Sequence, residues 1–484
     1  MTTRLKFTLI LVALLCTFSA RSTNKELPNI VIIFTDDQGY SDVGVYGAEG
    51  FSTPNLDEIA NDGMKFTDFY VGSSVCSPSR AALLTGCYPQ RVGIPGVLFP
   101  EKVNAEWTPN ERRTKTGLHK DETTIAEMLK ERGYSTGCFG KWHLGHHKQF
   151  MPLQQGFDEY FGLPYSNDMR PGRKGKKKPY PKLPLIKNNK VHRYMKDDQS
   201  GLTTEYTEHA TDFIKRHKDE PFFVYLAHTM PHIPLYVSKK FKGHSENGIY
   251  GDVIEEIDWS VGQVNKTLKK LGLDDNTLVI FTCDNGPWLS FGAHGGSARP
   301  LREGKFTTFE GGQRVPCLMK WPGEIPAGSE CNEIASTLDF LPTIANITGS
   351  NLPANKIDGH DIQDLISGKE GATSPTEYFF YYKGWNLEAV RYGKWKLHLP
   401  HGYKAIIEAK DGNQYGRKGI NAKIELSLFD LAADIGEKTN VAEKHPEVVE
   451  QLLKEVEKMK QDLGDGEKIT GNGRRDCGWQ TVKE

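Results

Sequence analysis

The chain has 484 residues, 37% of them hydrophobic, which is enough for a sizeable core and for two or three domains at roughly 150 residues each. Its 61 Lys+Arg stand against 62 Asp+Glu, so no global charge favours nucleic acid or an acidic membrane surface. Partners must be read from local features.

Arg4 and Lys6 precede an apolar run from Phe7 to Phe18 that closes on Ser19 and Ala20, the layout of a secretory signal peptide over residues 1–22. The run is shorter than the roughly 20 residues of a membrane span, and no second stretch is apolar enough. The mature protein is therefore expected to be exported, with no membrane span.

Asn29 to Phe34 is a continuous β-branched run, as in a strand covered on both faces, and it ends in Thr35-Asp36-Asp37. Adjacent carboxylates there fit a turn or a helix cap. They fit a hard-cation site equally well, because ligands of open α/β sheets bind beyond the carboxyl ends of the strands. Thr53 to Gly63 reads as a capped helix, and Met64 to Tyr70 as one strand leading towards Cys76.

Between Ser73 and Gly86, Ser77 is the expected helix N-cap, Pro78 the first helical residue and Gly86 the stop. Cys76 then sits just before a helix N-terminus, where free backbone N–H groups attract an anion, and Arg80 adds a planar donor fork one turn on. An isolated cysteine in that place would be a buried structural thiol.

Thr124 to Arg132 is helical, and the strand Ser135 to Phe139 runs into Gly140-Lys141-Trp142-His143-Leu144-Gly145. From Arg170 to Lys182 the chain is rich in Pro, Gly and Lys, a solvated loop or a grip for a polyanion. Thr203 to His217 is an amphipathic helix, and the strand Phe222 to Ala227 leads into His228-Thr229-Met230-Pro231-His232-Ile233-Pro234. A long helix from about Tyr250 to Leu271 carries Ile254, Ile257, Val261, Val264 and Leu268 on one face.

The strand Thr277 to Thr282 delivers Cys283-Asp284-Asn285-Gly286, by itself a turn, but an oxygen cage if Asp36 and Asp37 join it. The Gly-rich stretch 286–312 carries His294, Arg299, Arg302 and Lys305; Val315 to Met319 is a strand and Leu338 to Ile347 a helix. Beyond Gly371 come strand-like runs at Glu377 to Tyr382, Ala389 to Leu399 and Ile424 to Leu428, then a helix from Pro446 to about Leu463. Six cysteines outside the leader and Cys76 leave the disulfide pairing open, and there is no clustered zinc pattern. Asn265-Lys266-Thr267 and Asn346-Ile347-Thr348 are glycosylation sequons.

The segment from Cys76 through Pro78-Ser79-Arg80 to Leu84-Thr85-Gly86 resembles the sulfatase signature C-x-P-S-R-x-x-x-L-T-G. The resemblance extends to Gly140 through Gly145, to His232-Ile233-Pro234, to Gly304 through Gly312, and more briefly to Pro164-Tyr165-Ser166-Asn167-Asp168. It reappears in Leu428-Phe429-Asp430-Leu431 through Asn440-Val441-Ala442, and it is closest to the arylsulfatase A and galactosamine-6-sulfatase branch. It implies an α/β, alkaline-phosphatase-like fold: a large mixed sheet sandwiched by helices over 23–372, and a smaller C-terminal antiparallel sheet with a helix over 373–484.

The resemblance also implies a chemistry. Cys76 would be oxidised to formylglycine (3-oxoalanine) by a formylglycine-generating maturation enzyme. Asp36, Asp37, Asp284 and Asn285 would hold calcium, or else magnesium, together with the modified Cys76. Arg80, Lys141 and Lys305 would offset charge on the transferring sulfate. Ser166, Lys141, His232 and Lys305 would contact substrate, with His232 protonating the leaving alcohol and His143 taking a proton from the formylglycine hydroxyl. His228 is left to packing.

The implied substrate is a sulfated polysaccharide or oligosaccharide, and the implied location periplasmic or secreted, lysosomal in an animal. His146, His147, Asn167, Asp168, Trp288, His294 and Arg302 are further pocket candidates, and the insertions 98–119 and 169–191 carry no motif that selects a sugar. Three rival readings stand beside this one. A phosphomonoester or phosphonate hydrolase would share the superfold. A cysteine-thiolate phosphatase would space its Cys and Arg more widely than Cys76 and Arg80. A non-catalytic glycan-binding protein would not need the intact Cys76, Lys141, His232 and Lys305.

Overall fold

The computed structural model describes residues 27–101, 114–172, 180–407, 418–466 and 470–479. The expected signal peptide and much of the basic run lie outside the described residues. A ten-stranded mixed sheet forms the larger body, in the order Ser329–Cys331, Met64–Phe66, Cys317–Lys320, Thr277–Cys283, Asn29–Thr35, Phe222–Ala227, Ser135–Lys141, Glu159–Leu163, Pro184–Lys187 and Lys190–Tyr194. Five neighbouring strands, from Thr277–Cys283 to Glu159–Leu163, run parallel. Their carboxyl ends therefore open on one edge, where the site lies.

Asn29–Thr35 is buried along its whole length because both sheet faces are covered. Ile30, Ile32 and Phe34 join a core closed by the helices Cys76–Thr85, Ile125–Lys130 and Phe340–Thr348. Val31 and Ile33 point the other way, into a core closed by Pro54–Asn61, Leu202–Arg216 and Gly248–Leu271. Each such aliphatic side chain contributes about 1.5–3 kcal/mol on burial. The helix Gly248–Leu271 ends where expected, at Gly272 in the left-handed conformation (φ 69°).

Four expected boundaries are corrected. The helix at the signature runs Cys76–Thr85 with Val75 as its uncapped N-cap (φ −148°, ψ 153°). Ser77 does not cap it: its Oγ accepts the Leu98 N–H at 3.1 Å. Met64 to Tyr70 is two strands, Met64–Phe66 and Phe69–Tyr70, parted where Asp68 turns its carboxylate to Arg314 at 2.7 Å and Arg391 at 2.6 Å. Ala389 to Leu399 is a hairpin of Asn386–Tyr392 and Trp395–His398, reversed at Gly393, whose φ of 50° suits glycine. Ile424 to Leu428 splits between the ribbon strand Lys418–Ile424 and Ser427–Asp430.

The smaller body is a four-stranded antiparallel sheet, Tyr378–Lys383, Asn386–Tyr392, Trp395–His398 and Ser427–Asp430. The helix Pro446–Leu463 covers it through Leu452, Val456 and Leu463, and the same apolar cluster takes in Tyr70, Ala82 and Tyr88 from the larger body. A buried charge knot ties the two together. Lys396 Nζ lies 2.8 Å from Glu310 Oε1 and 3.0 Å from Glu437 Oε1, and Glu437 Oε2 accepts the Glu310 N–H at 2.7 Å. A ribbon of His401–Ile407 and Lys418–Ile424 reaches back towards the larger body.

Candidate active site

Each of the five parallel strands delivers polar side chains at its carboxyl end. Asp36 and Asp37 follow Thr35, Asp284 and Asn285 follow Cys283, and Lys141 closes Ser135–Lys141 with His143 two residues on. Ser166 lies beyond Leu163 and His232 beyond Ala227. Cys76 enters from the side as the first residue of a helix buried at every position. Asp37 and His143 hold left-handed backbones (φ 68° and 62°), a conformation that non-glycine residues adopt at a cost repaid by surrounding contacts.

Lys305 comes from a loop and needs a close approach. Gly286 N donates to Gly312 O at 3.0 Å, and a Cβ on Gly286 would stand 1.8 Å from the Gly311 carbonyl oxygen. Only glycine lets the 304–312 segment lie against Asn285.

Charges interlock at the centre. Lys141 Nζ lies 2.5 Å from Asp36 Oδ2, and Lys305 Nζ lies 2.5 and 2.7 Å from the Asp37 oxygens. Arg80 gives Asp284 Oδ2 two bonds, from Nη2 at 2.7 Å and Nε at 3.1 Å, and donates Nη1 to the Lys141 carbonyl at 3.0 Å. Burial disfavours the Asp36 carboxylate, but Lys141, His232 and Arg80 hold its pKa well below the usual range. Burial alone would lower Lys305, yet Asp37 beside it raises it. Three carboxylates thus balance three permanent cations.

Two acceptors remain. Asp36 Oδ1 and Asn285 Oδ1 are buried without a hydrogen-bond partner, although Asn285 Nδ2 donates to Asp37 Oδ1 at 2.7 Å. Ligand atoms of Asp36, Asp37 and His232 also lie within 4.8 Å of one another. The oxygens of Asp36, Asp37 and Asn285 in this group fit a hard divalent cation. Asp37 and Asp284 also receive protein donors, Lys305 and Asn285 Nδ2 on Asp37, and the Asp37 N–H at 3.1 Å and Arg80 on Asp284, but a carboxylate oxygen has lone pairs enough for a donor and a cation together. A divalent ion on this neutral cluster would leave it net positive, suited to an anion.

The two histidines differ in tautomer. His143 Nε2 faces the Leu98 carbonyl at 2.9 Å and must donate to it, so Nδ1 carries the lone pair, buried and unpartnered. Burial, then Lys141 and Arg80, push its pKa well below 6.5. His232 Nδ1 donates to Ile233 O at 2.6 Å, leaving Nε2 to face Asp37 Oδ2 at 3.6 Å and Ser166 Oγ at 3.5 Å. Burial lowers its pKa while Asp37 opposes that. Burial also raises the Cys76 thiol, with Lys141 and Lys305 pulling it down.

The wider candidates separate. Trp288 borders the centre: its ring lies 5.5 Å from His232 and 4.6 Å from Lys305 Nζ. His146 packs on His147 at 4.2 Å and on Tyr165 at 5.9 Å. Asn167 bonds Pro234 O at 3.3 Å, Asp168 is buried next to it, and His294 ends a short 3-10 turn. Arg302 turns away to Glu437 O and the Tyr403 hydroxyl, and His228 is held by Ser260 at 3.1 Å. Sequence reasoning missed Leu98, whose backbone carbonyl sets the His143 tautomer; a main-chain group leaves no mark in a sequence.

The large mixed sheet between helices, with polar side chains gathered beyond its parallel strand ends, is an alkaline-phosphatase-like fold. Residues 28–350 match the Sulfatase family and residues 374–482 the C-terminal region of aryl-sulfatase. The chain belongs to the sulfatase family, and it is a sulfatase enzyme. It is 39% identical over 455 residues to arylsulfatase A of Bos taurus, covering 89% of this chain and 87% of that protein. It is 41% identical over 390 residues to N-acetylgalactosamine-6-sulfatase of Canis lupus familiaris, covering 77% and 72%. Among solved structures it is similar to Ps i-CgsB in complex with k-i-k-neocarrahexaose, with a TM-score of 0.73 and 30% identity over 90% of this chain and 93% of that one.

Proposed function

We propose that this sulfatase removes sulfate from a sulfated carbohydrate, using a formylglycine made from Cys76 and a bound calcium ion. The observation that carries this reading is Cys76 at the N-terminus of a buried helix, under the joint influence of Lys141 and Lys305. Formylglycine at position 76 would supply a hydrated aldehyde whose hydroxyl attacks sulfur. The cation, held by Asp36, Asp37, Asp284 and Asn285 together with the modified Cys76, would polarise a sulfate oxygen when bound.

The remaining work falls to side chains. Lys141, Lys305 and the helix N-terminus bind the anion and offset charge as it develops. His143 Nδ1, with its free lone pair, takes the proton from the group at position 76. His232, its Nδ1–H held by the Ile233 carbonyl, gives the leaving alcohol a proton from Nε2 as the imidazolium, the Nε2 side facing Ser166 and Asp37. A bound sulfate beside it raises its pKa and keeps that proton available.

A carbohydrate substrate is supported by the relative named N-acetylgalactosamine-6-sulfatase and by the neighbour solved with a neocarrahexaose. The domain limits 23–372 and 373–484, export after loss of residues 1–22, and activation by a maturation enzyme belong to the same reading. None of the helices in the described residues is long and apolar enough to cross a membrane.

The test is the mass of the tryptic peptide from Phe66 to Arg80 in protein from its own host, together with turnover by Cys76→Ala. Thiol to aldehyde removes about 18 Da, and the variant should lose at least roughly a thousandfold in rate. An unmodified thiol in active protein, or near-normal hydrolysis by Cys76→Ala, would overturn the mechanism.

A further inference from the structure

A cavity of about 350 Å³ adjoins the centre, lined by Trp288, Leu289, Phe306, Lys383, Lys404 and Ile406, with Lys305 in its wall. Trp288 belongs to both spaces, since its ring also meets His232 and Lys305 Nζ. Phe306 stands edge-on to Trp288 at 5.3 Å and is 37% exposed. Aromatic faces of this kind are suited to a sugar ring, whose C–H groups are apolar and whose hydroxyls stay wet.

The cavity is built by both bodies of the chain. Its floor is the loop that carries Lys305, and its far wall is the C-terminal sheet and ribbon. The two walls are fastened together: Ile406 N donates to Glu303 Oε2 at 3.1 Å, Arg302 Nη2 to the Tyr403 hydroxyl at 2.9 Å, and Thr308 Oγ1 to Glu388 Oε2 at 2.9 Å. The space is therefore preformed. Within it the charges do not cancel. Lys305 is paired with Asp37, and Glu303 accepts the Ile406 N–H but keeps its charge, so the two lysines Lys383 and Lys404, with no ion-pair partner among the described residues, outnumber the one carboxylate.

Resting on the proposed function, we infer that this cavity is a leaving-group subsite for a second, anionic sugar unit. Trp288 and Phe306 stack its ring, and Lys383 and Lys404 take its sulfate or carboxylate. The preferred substrate is then an oligosaccharide charged on the unit next to the one that loses sulfate. Two partly exposed charge contacts together should be worth roughly tenfold in affinity, about 1.4 kcal/mol.

The experiment uses full-length Cys76→Ala protein, with and without Lys383→Ala/Lys404→Ala. Titration calorimetry reads the Kd of a disaccharide ending in N-acetylgalactosamine 6-sulfate, with or without a second sulfate on its neighbouring sugar. The second sulfate should tighten binding by about tenfold, and the double substitution should abolish that gain. A second sulfate that adds no affinity, or a gain that survives the double substitution, overturns the subsite. Sulfate release from the singly sulfated disaccharide by the wild type judges the underlying function separately: its absence would sink the carbohydrate sulfatase reading proposed above without touching the calorimetric result.

Discussion

Asp36 gives one oxygen to Lys141, at 2.5 Å, and keeps the other buried and unpartnered. A carboxylate so divided is half of a cation site, and Asn285 Oδ1 supplies a second orphaned acceptor. Calcium binding should therefore stabilise the fold, by about 2.7 kcal/mol at a free concentration one hundred times Kd. Differential scanning calorimetry with calcium and with chelator measures this. Loss of the calcium shift in Asp36→Ala and Asn285→Ala is expected, and a shift of wild-type size in both would place the ion elsewhere.

Arg80 and Asp284 are both fully buried and joined by two bonds to one oxygen. A lysine at position 80 cannot reproduce that fork. Arg80→Ala leaves a buried carboxylate unpaired and should cost roughly 3–5 kcal/mol of stability, with Arg80→Lys intermediate. Chemical denaturation tests the order. Arg80→Lys equal to wild type in both stability and kcat/KM would show that the fork is dispensable.

His228 is buried against Ser260, and burial lowers its pKa to about 3. Since the unfolded chain takes up this proton near pH 6.5 and the folded chain near 3, the contribution is complete above 6.5. It is lost as pH falls towards 3. Within that window the group adds about 1.4 kcal/mol per pH unit to the slope of stability. Urea titrations of wild type and His228→Gln between pH 4 and 7 should differ by that slope; parallel curves would mean that His228 does not titrate this way.

Lys396 is a buried cation held by Glu310, Glu437 and the Thr308 carbonyl, the last at 2.8 Å. Those contacts reach the segment that bears Lys305. Lys396→Met should cost roughly 3–5 kcal/mol and lower kcat/KM, with Lys396→Arg recovering part of both. A Lys396→Met protein within about 1 kcal/mol of wild type would show that the knot contributes little, as some buried ion pairs do.

Much of the fold was legible in the sequence because it is encoded locally. The β-branched run at Asn29 to Phe34, the apolar face from Ile254 to Leu268 and the left-handed stop at Gly272 each answer to a few adjacent residues. The breaks that went unread depend on distant partners. Asp68 interrupts Met64 to Tyr70 because Arg314 and Arg391 claim it, and Ser77 gives up its capping role because Leu98 arrives from an insertion.

The candidate site divides in the same way. Sequence alone determined which residue types stand beyond the strand ends, and the spacing around Cys76, Lys141, His232 and Lys305 carried the family resemblance. Only the tertiary structure decided that Arg80 claims Asp284, that a carbonyl chooses the His143 tautomer, and that the C-terminal ribbon forms a wall beside Lys305. The first two of these join residues 204 and 45 positions apart. Hydrogen bonds and ion pairs act over a few ångströms in space, and the folded chain sets which groups come that close.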